Sequence, residues 1–328
     1  MQQFTGTQYL SIDIANCFGL DRLNWNDRLV WFHKHEPHLE DLSPNAKHPI
    51  MYRKAVRAMR AVQRGEATNH IMGLDATASG LQIMATVSGC HDTAKAVNLI
   101  NTGRREDVYD AVSGHMNTLP GVKIDRDIVK KPVLTVFYGS TATPKEVFGD
   151  TPALSAFYTT LKARLGGAYE LLGIMQSYWN TKAEYHTWKL PDGHTARVPV
   201  TQVVDRTIEI DEWDHIRFVY RTEVVAPKEK SRSLPANITH SIDGWITRQM
   251  VQASRQQGYW MAPIHDCFFA SPNHMNQIRE NYVKILVWLA DSGCLQKILS
   301  DIAGHPVKYY RKSATLSKEI MKSEYALS

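Results

Sequence analysis

Cysteine is scarce in this chain. Its 328 residues hold four, Cys17, Cys90, Cys267 and Cys294, far apart and with no Cys-x-x-Cys pair. That argues against a disulfide framework or a zinc module and fits a reducing compartment. Long apolar runs are missing as well: nothing approaches the roughly 18 uninterrupted apolar residues that a membrane-spanning helix needs. The opening residues Met1-Gln2-Gln3-Phe4-Thr5 show no basic segment leading into an apolar one, so no signal peptide is expected. No internal repeat, low-complexity tract or long linker interrupts the chain, which reads as one compact unit whose subdomains can come from separated segments. Neither charge sign dominates. The net charge of +5 is a mild basic excess that fits a phosphate-bearing partner without requiring one. A soluble, cytoplasmic protein with no membrane association is expected.

What is present is a 43% hydrophobic composition, enough for one large core or two modest ones. Residues 6–65 read as helical. Ala55, Val56, Met59 and Val62 recur at helical spacing, with Arg53, Lys54, Arg57, Arg60 and Arg64 between them. His33, His35 and His38 crowd near Glu36, as a solvated loop or a metal cluster. A short strand over His70–Leu74 runs into Asp75, followed by a helix over 79–87. Helices are expected over 104–118, 124–139 and 152–179. The period then changes. Pro191-Asp192-Gly193 marks a hairpin within 188–204, and 207–210 and 216–224 read as strands. A charged loop follows at Lys228–Arg232, then a long helix over 238–256. Tyr259–Ser271 reads as a hairpin with His265-Asp266 at its bend, and 273–300 as helical.

Asp75 and Asp266 each stand in apolar sequence, after Ile71-Met72-Gly73-Leu74 and between Pro263-Ile264 and Phe268-Phe269. A carboxylate in such a setting needs a partner. Two brought together repel unless cations lie between them, and two Mg²⁺ ions are the usual solution where phosphoryl groups are transferred. The alternative is a helix cap and a turn residue. Arg126 and Lys130 stand four apart on an expected helix and share a face, with Tyr138 roughly 80° further round. Such a face can hold a triphosphate at one end and a sugar or base at the other. A solvated basic helix is the plainer reading.

In chain order these elements resemble the single-subunit DNA-dependent RNA polymerases of phage and mitochondrial type. Asp75-Ala-Thr-Ala-Ser79-Gly80-Leu-Gln82 resembles motif A of that family, Arg126-x-x-x-Lys130 followed by Tyr138-Gly139 its motif B, and His265-Asp266 its motif C. Asn237-Ile-Thr-His240-Ser241-Ile-Asp243-Gly244 is similar to the segment before motif C. Arg105-Glu-Asp-Val-Tyr109 is similar to the first fingers helix, and Ala15–Arg22 to a segment before motif A. The resemblance implies an α+β right-hand polymerase fold, with a palm built on a small antiparallel sheet and mostly helical fingers. The palm would be residues 1–103 and 241–328. The fingers would be 104–240, with a β-rich insertion. It implies that Asp75 and Asp266, with the Ala76 carbonyl, ligate two Mg²⁺ ions. Arg126, Lys130 and Arg22 would hold the triphosphate, and Lys130 would also protonate the leaving pyrophosphate. Tyr138, His240 and Tyr109 would form the nucleotide pocket, and His265 would position the primer end. DNA template, RNA product and NTPs are the implied partners, and a phage protein in an infected bacterial cell the implied setting.

Gly80 stands where the related DNA polymerases place a bulky Glu that excludes the 2′-hydroxyl, so ribonucleotides are expected. A DNA polymerase, a non-catalytic scaffold subunit and a two-metal phosphohydrolase are the competing classes. Several positions depart from the family pattern: Ile83, Lys131, Cys267 and an ending Tyr325-Ala-Leu-Ser328 in place of an aromatic, apolar tail. The family's N-terminal domain, thumb and Asp-x-x-Gly-Arg-type element have no counterpart. The expectation is therefore a heterodimer. A second polypeptide would supply the missing parts, as for the palm-bearing larger subunit of a heterodimeric phage RNA polymerase. Trp25, Trp31 and Tyr52 would lie at that interface or in the chain's own core.

Overall fold

The structure, a computed structural model, describes residues 1–225 and 233–328. Three helices open the chain: α1 (Gly6–Ala15), α2 (Trp25–His35) and α3 (Pro49–Gln63). Thr5 caps α1 reciprocally with Gln8, satisfying two otherwise orphaned amides. These helices close on a small core of their own, with Leu10, Ile14, Phe32 and Tyr52 at its centre. Between α1 and α2 the chain turns tightly, and the buried Arg28 holds that turn. Its guanidinium donates to the Leu23 and Asp21 carbonyls and to Asn16 Oδ1, which fixes the backbone on both sides of Arg22. Trp25 and Tyr52 are fully buried, and Trp31 stacks on Phe18 and His35. Of the two readings of these aromatics, packing in the chain's own core is the one the structure supports.

Strand β1 (Met72–Asp75) follows, then α4 (Ser79–Ser88), α5 (His91–Ala96), α6 (Val108–Met116), α7 (Arg126–Val136) and α8 (Ala142–Phe148). The continuous helix expected over 152–179 is two, α9 (Pro152–Arg164) and α10 (Gly166–Ser177). The break lets α10 approach closely: any Cβ on Gly167 would collide with the Cys90 side chain. Two hairpins come next, β2 (Tyr185–Lys189) with β3 (Thr195–Pro199), and β4 (Thr201–Ile210) with β5 (Ile216–Val225). The charged loop expected at Lys228–Arg232 lies outside the described residues. Helix α11 (Ser233–Gln256) leads to strands β6 (Ala262–Ile264) and β7 (Cys267–Ala270), then α12 (Met275–Asp291), α13 (Cys294–Ala303) and α14 (Leu316–Ile320). The fold is thus mixed, mostly helical with small antiparallel sheets. No helix among the described residues is long and apolar enough to cross a membrane.

The central sheet has the order β1-β7-β6, all antiparallel. Its neighbours β1 and β7 are nearly 200 residues apart in sequence, so the sheet joins the two ends of the chain. The last residues complete it. Ala76 forms a bridge with Leu327, and the Ser328 amide donates to the Asp75 carbonyl at 2.9 Å. Tyr325 stacks on Trp25 at 5.5 Å between ring centres. Arg279 of α12, 1% exposed, ties both termini down. It donates to the Gln2 carbonyl, to Tyr9 Oη and to both the backbone and carboxylate of Glu324. Arg279→Ala would leave the Gln2 carbonyl without a donor among the described residues and strip the Glu324 carboxylate of its buried cation. Loss of a buried charge partner of this kind costs about 3–5 kcal/mol, and urea unfolding of the variant should read a loss of that size.

Candidate active site

Asp75 and Asp266 meet because of strand register. Asp75 stands opposite Cys267 across the β1–β7 pair, and the Ala76 amide donates to the Asp266 carbonyl at 3.1 Å. Asp266 is the second residue of a two-residue turn between β6 and β7, closed by the pairing of Ile264 with Cys267. His265, the first, adopts φ +55°. Such tight hairpins need a positive φ there, and a non-glycine residue holds it only when the surroundings enforce it. The pairing of β7 on both sides does so.

The electrostatics of the pair are unfavourable as they stand. Asp75 is reached by solvent, yet the surrounding protein removes part of its hydration. Loss of hydration raises its pKa to about 6, and the neighbouring Asp266 pushes the same way; the Ala76 amide and Arg105 pull against them. A third carboxylate, Asp243 of α11, is also raised to about 6, first by burial and then by Asp266. None of the three makes an ion pair among the described residues. Three hard oxygen donors without a protein cation are the donor chemistry that Mg²⁺ takes. The Ala76 carbonyl fits as well: it accepts one bond, from the Ala78 amide, and keeps a second lone pair. A separate trio at the tip of the β4–β5 hairpin, Glu209, Asp211 and His215, brings its ligand atoms within 4.8 Å of one another. The histidines at 33, 35 and 38 form no such group among the described residues.

Facing the carboxylates is a cavity of about 240 Å³, lined among others by Gly80, Tyr138, His240, Asp243, His265 and Asp266. Tyr138 and His240 stack face to face, 4.7 Å between centroids and 6° apart. Burial and two carboxylates, Asp243 and Asp266, push the Tyr138 phenol up to about 12. Burial, and then His265, lowers the His240 imidazole below its ordinary value. Gly80 lets this stack exist: a Cβ there would lie 2.5 Å from Tyr138 Oη.

The residues of α7 are placed differently from expectation. The helix stops at Val136, and Tyr138 lies in the turn beyond it, with its amide on the Thr135 carbonyl. Arg126, Lys130 and Tyr138 therefore do not share one continuous helical face. Arg126 is already engaged: it grips Asp107 through Nε and Nη2 at 3.0 and 2.7 Å, meets Asp127, and lies over the Tyr109 ring. Burial, and to a lesser degree Asp107, raises the Tyr109 phenol to about 12. Lys130 and Arg22 are exposed and make no ion pair among the described residues.

Two contributors were missed by sequence reasoning. Asp243 stands one helical turn from His240, and that i, i+3 spacing after a residue already singled out was the available signal. In the sequence Arg105 reads only as the start of the segment similar to the first fingers helix, with no role at the carboxylates. It is half-buried, bonds Ser328 Oγ at 3.0 Å, and acts on Asp75 from a distance, an arrangement made by the docked chain end. On α3, Arg60 is held by Glu40, Arg64 by Glu66, and Arg53 bonds Ser43. Of the five basic residues considered there, only Lys54 and Arg57 lack an ion pair or hydrogen bond among the described residues.

Residues 3–147 match the family model described as DNA-dependent RNA polymerase. The chain is similar to DNA-directed RNA polymerases. The mitochondrial RNA polymerase 1B of Nicotiana tabacum is 23% identical over 360 aligned residues, covering 90% of this chain and 35% of the relative. The mitochondrial RNA polymerase 1 of Arabidopsis thaliana is 24% identical, covering 92% and 38%. The RNA polymerase of Pseudomonas phage phiKMV is 25% identical over 173 residues, covering 42% and 21%. The chain thus spans about a third of the length of the curated plant relatives it matches.

Proposed function

We propose that this chain is the catalytic part of a DNA-directed RNA polymerase, adding ribonucleotides from NTPs to an RNA 3′ end on a DNA template. The observation that carries the reading is the convergence of Asp75 and Asp266, from opposite ends of the sequence, beside the stacked Tyr138–His240 pair over Gly80. A phosphohydrolase has no use for that stack, and a scaffold has none for two mutually repelling carboxylates.

Asp75 and Asp266, with the Ala76 carbonyl, would hold two Mg²⁺ ions. Bound there, they would supply charge neutralisation and a lowered pKa for the attacking 3′-hydroxyl. Asp243 adds negative charge on the far side of Asp266. Lys130, without an ion pair among the described residues, reaches the triphosphate and donates a proton to the departing pyrophosphate. Arg22 projects from a backbone that Arg28 fixes, and it completes the phosphate contacts. Arg126 joins them by exchanging Asp107 for a phosphate oxygen; until then it holds α7 against α6 and the Tyr109 ring. Tyr138 and His240 form the platform for the sugar and base, and His265 positions the primer end. The palm is residues 1–103 with 241–328, and the fingers 104–240, in this reading. A polypeptide providing a thumb, as in a heterodimeric phage enzyme, is part of it.

The test is single-nucleotide extension of an RNA primer on a hybrid scaffold with Mg²⁺. Ribonucleotide use should exceed deoxyribonucleotide use by about 100-fold or more, because a site that bonds a substrate hydroxyl rejects the analogue lacking it. Equal use of both would point to a DNA polymerase, and no extension either with or without copurifying proteins to a scaffold.

Backbone contacts to template and hybrid fall to Lys54 and Arg57 in this reading. Replacing both by Ala should lower the slope of log K against log salt by about 2 while leaving sequence preference unchanged. A fluorescence-anisotropy titration over several salt concentrations would read it, and an unaltered slope would remove α3 from the nucleic-acid surface.

A further inference from the structure

Asn98 occupies a backbone position that suits glycine. Helix α5 ends in a Schellman turn: the Asn98 amide donates to the Lys95 carbonyl at 3.2 Å and the Leu99 amide to the Ala94 carbonyl at 2.9 Å. The residue just past the cap of such a turn is left-handed, a conformation glycine adopts without strain. Asn98 stands there at φ +62°. Asparagine tolerates such a φ better than most side chains do, but less well than glycine. Contact with water does not account for the side chain, because Asn98 is 3% exposed.

Its hydrogen bonds do. Oδ1 accepts from the Glu106 amide at 2.7 Å. Nδ2 donates to the Glu106 carbonyl at 2.8 Å and to Thr77 Oγ1 at 3.2 Å. The two bonds to Glu106 fix which end of the carboxamide is oxygen and which nitrogen. Both partners adjoin the site. Thr77 follows Ala76, the carbonyl offered to the metals. Glu106 precedes Asp107, whose carboxylate caps α6 at the Tyr109 and Asp110 amides through one oxygen and grips Arg126 through the other. One buried side chain therefore joins the carboxylate side of the site to the start of the helices that carry Tyr109, Arg126 and Lys130. The same segment has other ties, from the Arg105 amide to Asn24 Oδ1 and from Arg105 Nε to Ser328 Oγ. Among the described residues, only Asn98 satisfies both backbone groups of Glu106.

We propose, building on the polymerase reading, that Asn98 is a positioning residue for nucleotide addition: it sets α6 and α7, with the nucleotide-binding side chains they carry, against Asp75 and Ala76. Without it the Glu106 amide and carbonyl must find other partners, and Asp107 moves with them. A shift of about 1 Å between nucleotide and metals can cost 100-fold in rate. Contacts within α6 and α7 are kept, so nucleotide affinity changes little.

Asn98→Gly is the test. Glycine is the better residue for the turn, so a role confined to ending α5 requires a variant as stable and as active as wild type. The proposal requires kcat for single-nucleotide extension to fall by about tenfold or more, with the nucleotide KM within about threefold of wild type. Asn98→Ala loses the same bonds and adds strain at φ +62°. It should show the same fall in kcat at a lower Tm. Activity that simply follows Tm across the three proteins would overturn the proposal. Hydrogen exchange, read by mass spectrometry on peptides covering 99–112, decides independently of activity. The Glu106 amide should exchange about tenfold or more faster in Asn98→Gly, with α5 unchanged. Unaltered exchange at Glu106, or a kcat within about twofold of wild type, would overturn the proposal. An inactive wild type whose Glu106 amide still loses protection in the variant would count against the polymerase reading and in favour of the link.

Discussion

Gly80→Ala is expected to lower kcat/KM for nucleotide addition by about 10- to 100-fold, and adding Tyr138→Phe to restore about tenfold of that loss. The new methyl group would meet Tyr138 Oη at 2.5 Å and Cζ at 3.1 Å. The ring must swing away, and it then gives up its parallel stack on His240, 4.7 Å off and 6° from coplanar. An aromatic pair of this kind contributes about 0.5–1.5 kcal/mol. Misplacing a group that orients substrate by about 1 Å can cost 100-fold in rate. Removing the hydroxyl deletes the worst contact and leaves one that a shift of a few tenths of an ångström relieves, hence the partial rescue. The comparison also separates two roles for Gly80. If the glycine acts only by leaving room for the ribose, the double variant is no better than Gly80→Ala. If it acts by admitting the tyrosine, the two substitutions are strongly non-additive. Steady-state kinetics on the four proteins decides between them.

The second large effect concerns Mg²⁺ and pH. The folded protein holds the Asp75 carboxyl at a pKa of about 6 against an ordinary 3.8, through lost hydration and then Asp266. A raised carboxyl favours the protonated fold. Its contribution to stability is therefore fully present below about pH 4 and is lost as pH rises through 6. Mg²⁺ reverses the penalty by neutralising the pair. At pH 8 and at 100 times its Kd, the ion should add about 2.7 kcal/mol, several degrees in Tm. At pH 5, where Asp75 is largely protonated, the gain should shrink to a small fraction. In Asp266→Asn the repulsion is gone, so the metal-free variant should unfold at or above the wild-type temperature at pH 8 and gain little from Mg²⁺. Calorimetry at the two pH values reads all of this. Equal Mg²⁺ stabilisation of wild type and Asp266→Asn would place the ion elsewhere, the trio Glu209, Asp211 and His215 being the first candidate.

How much of this was legible in the sequence follows the range of the interactions involved. The strand ending at Asp75, the bend at His265-Asp266 and the helix of Arg126 and Lys130 were readable, because local periodicity and turn chemistry set them. The pairing of β1 with β7 was not, since nothing local links residues 72 and 270; the family resemblance implied only that Asp75 and Asp266 share a metal site in a small antiparallel sheet. The end of α7 at Val136 was missed because the apolar run Val133–Phe137 continues the helical pattern while the backbone leaves it. The tail was missed for another reason. Ser323–Ser328 is too short for a periodic signal, and it docks by backbone hydrogen bonds to Asp75 and Thr77, by one stacked ring, and by side-chain bonds from the distant Gln82, Arg105 and Arg279. The pairing of Arg126 with Asp107 was likewise invisible: the two lie 19 residues apart in a stretch of several acidic and basic groups.

The most direct measurement is single-turnover extension of a labelled RNA primer on a DNA template by the wild-type chain and by Asp266→Asn, at pH 8 with Mg²⁺ and NTPs. Loss of one carboxylate of the pair removes several kcal/mol of transition-state stabilisation. The account therefore predicts templated extension by the wild type and a rate at least about 1,000-fold lower in the variant, whose thermal unfolding stays intact. Extension within about tenfold of wild type by a folded Asp266→Asn would contradict it.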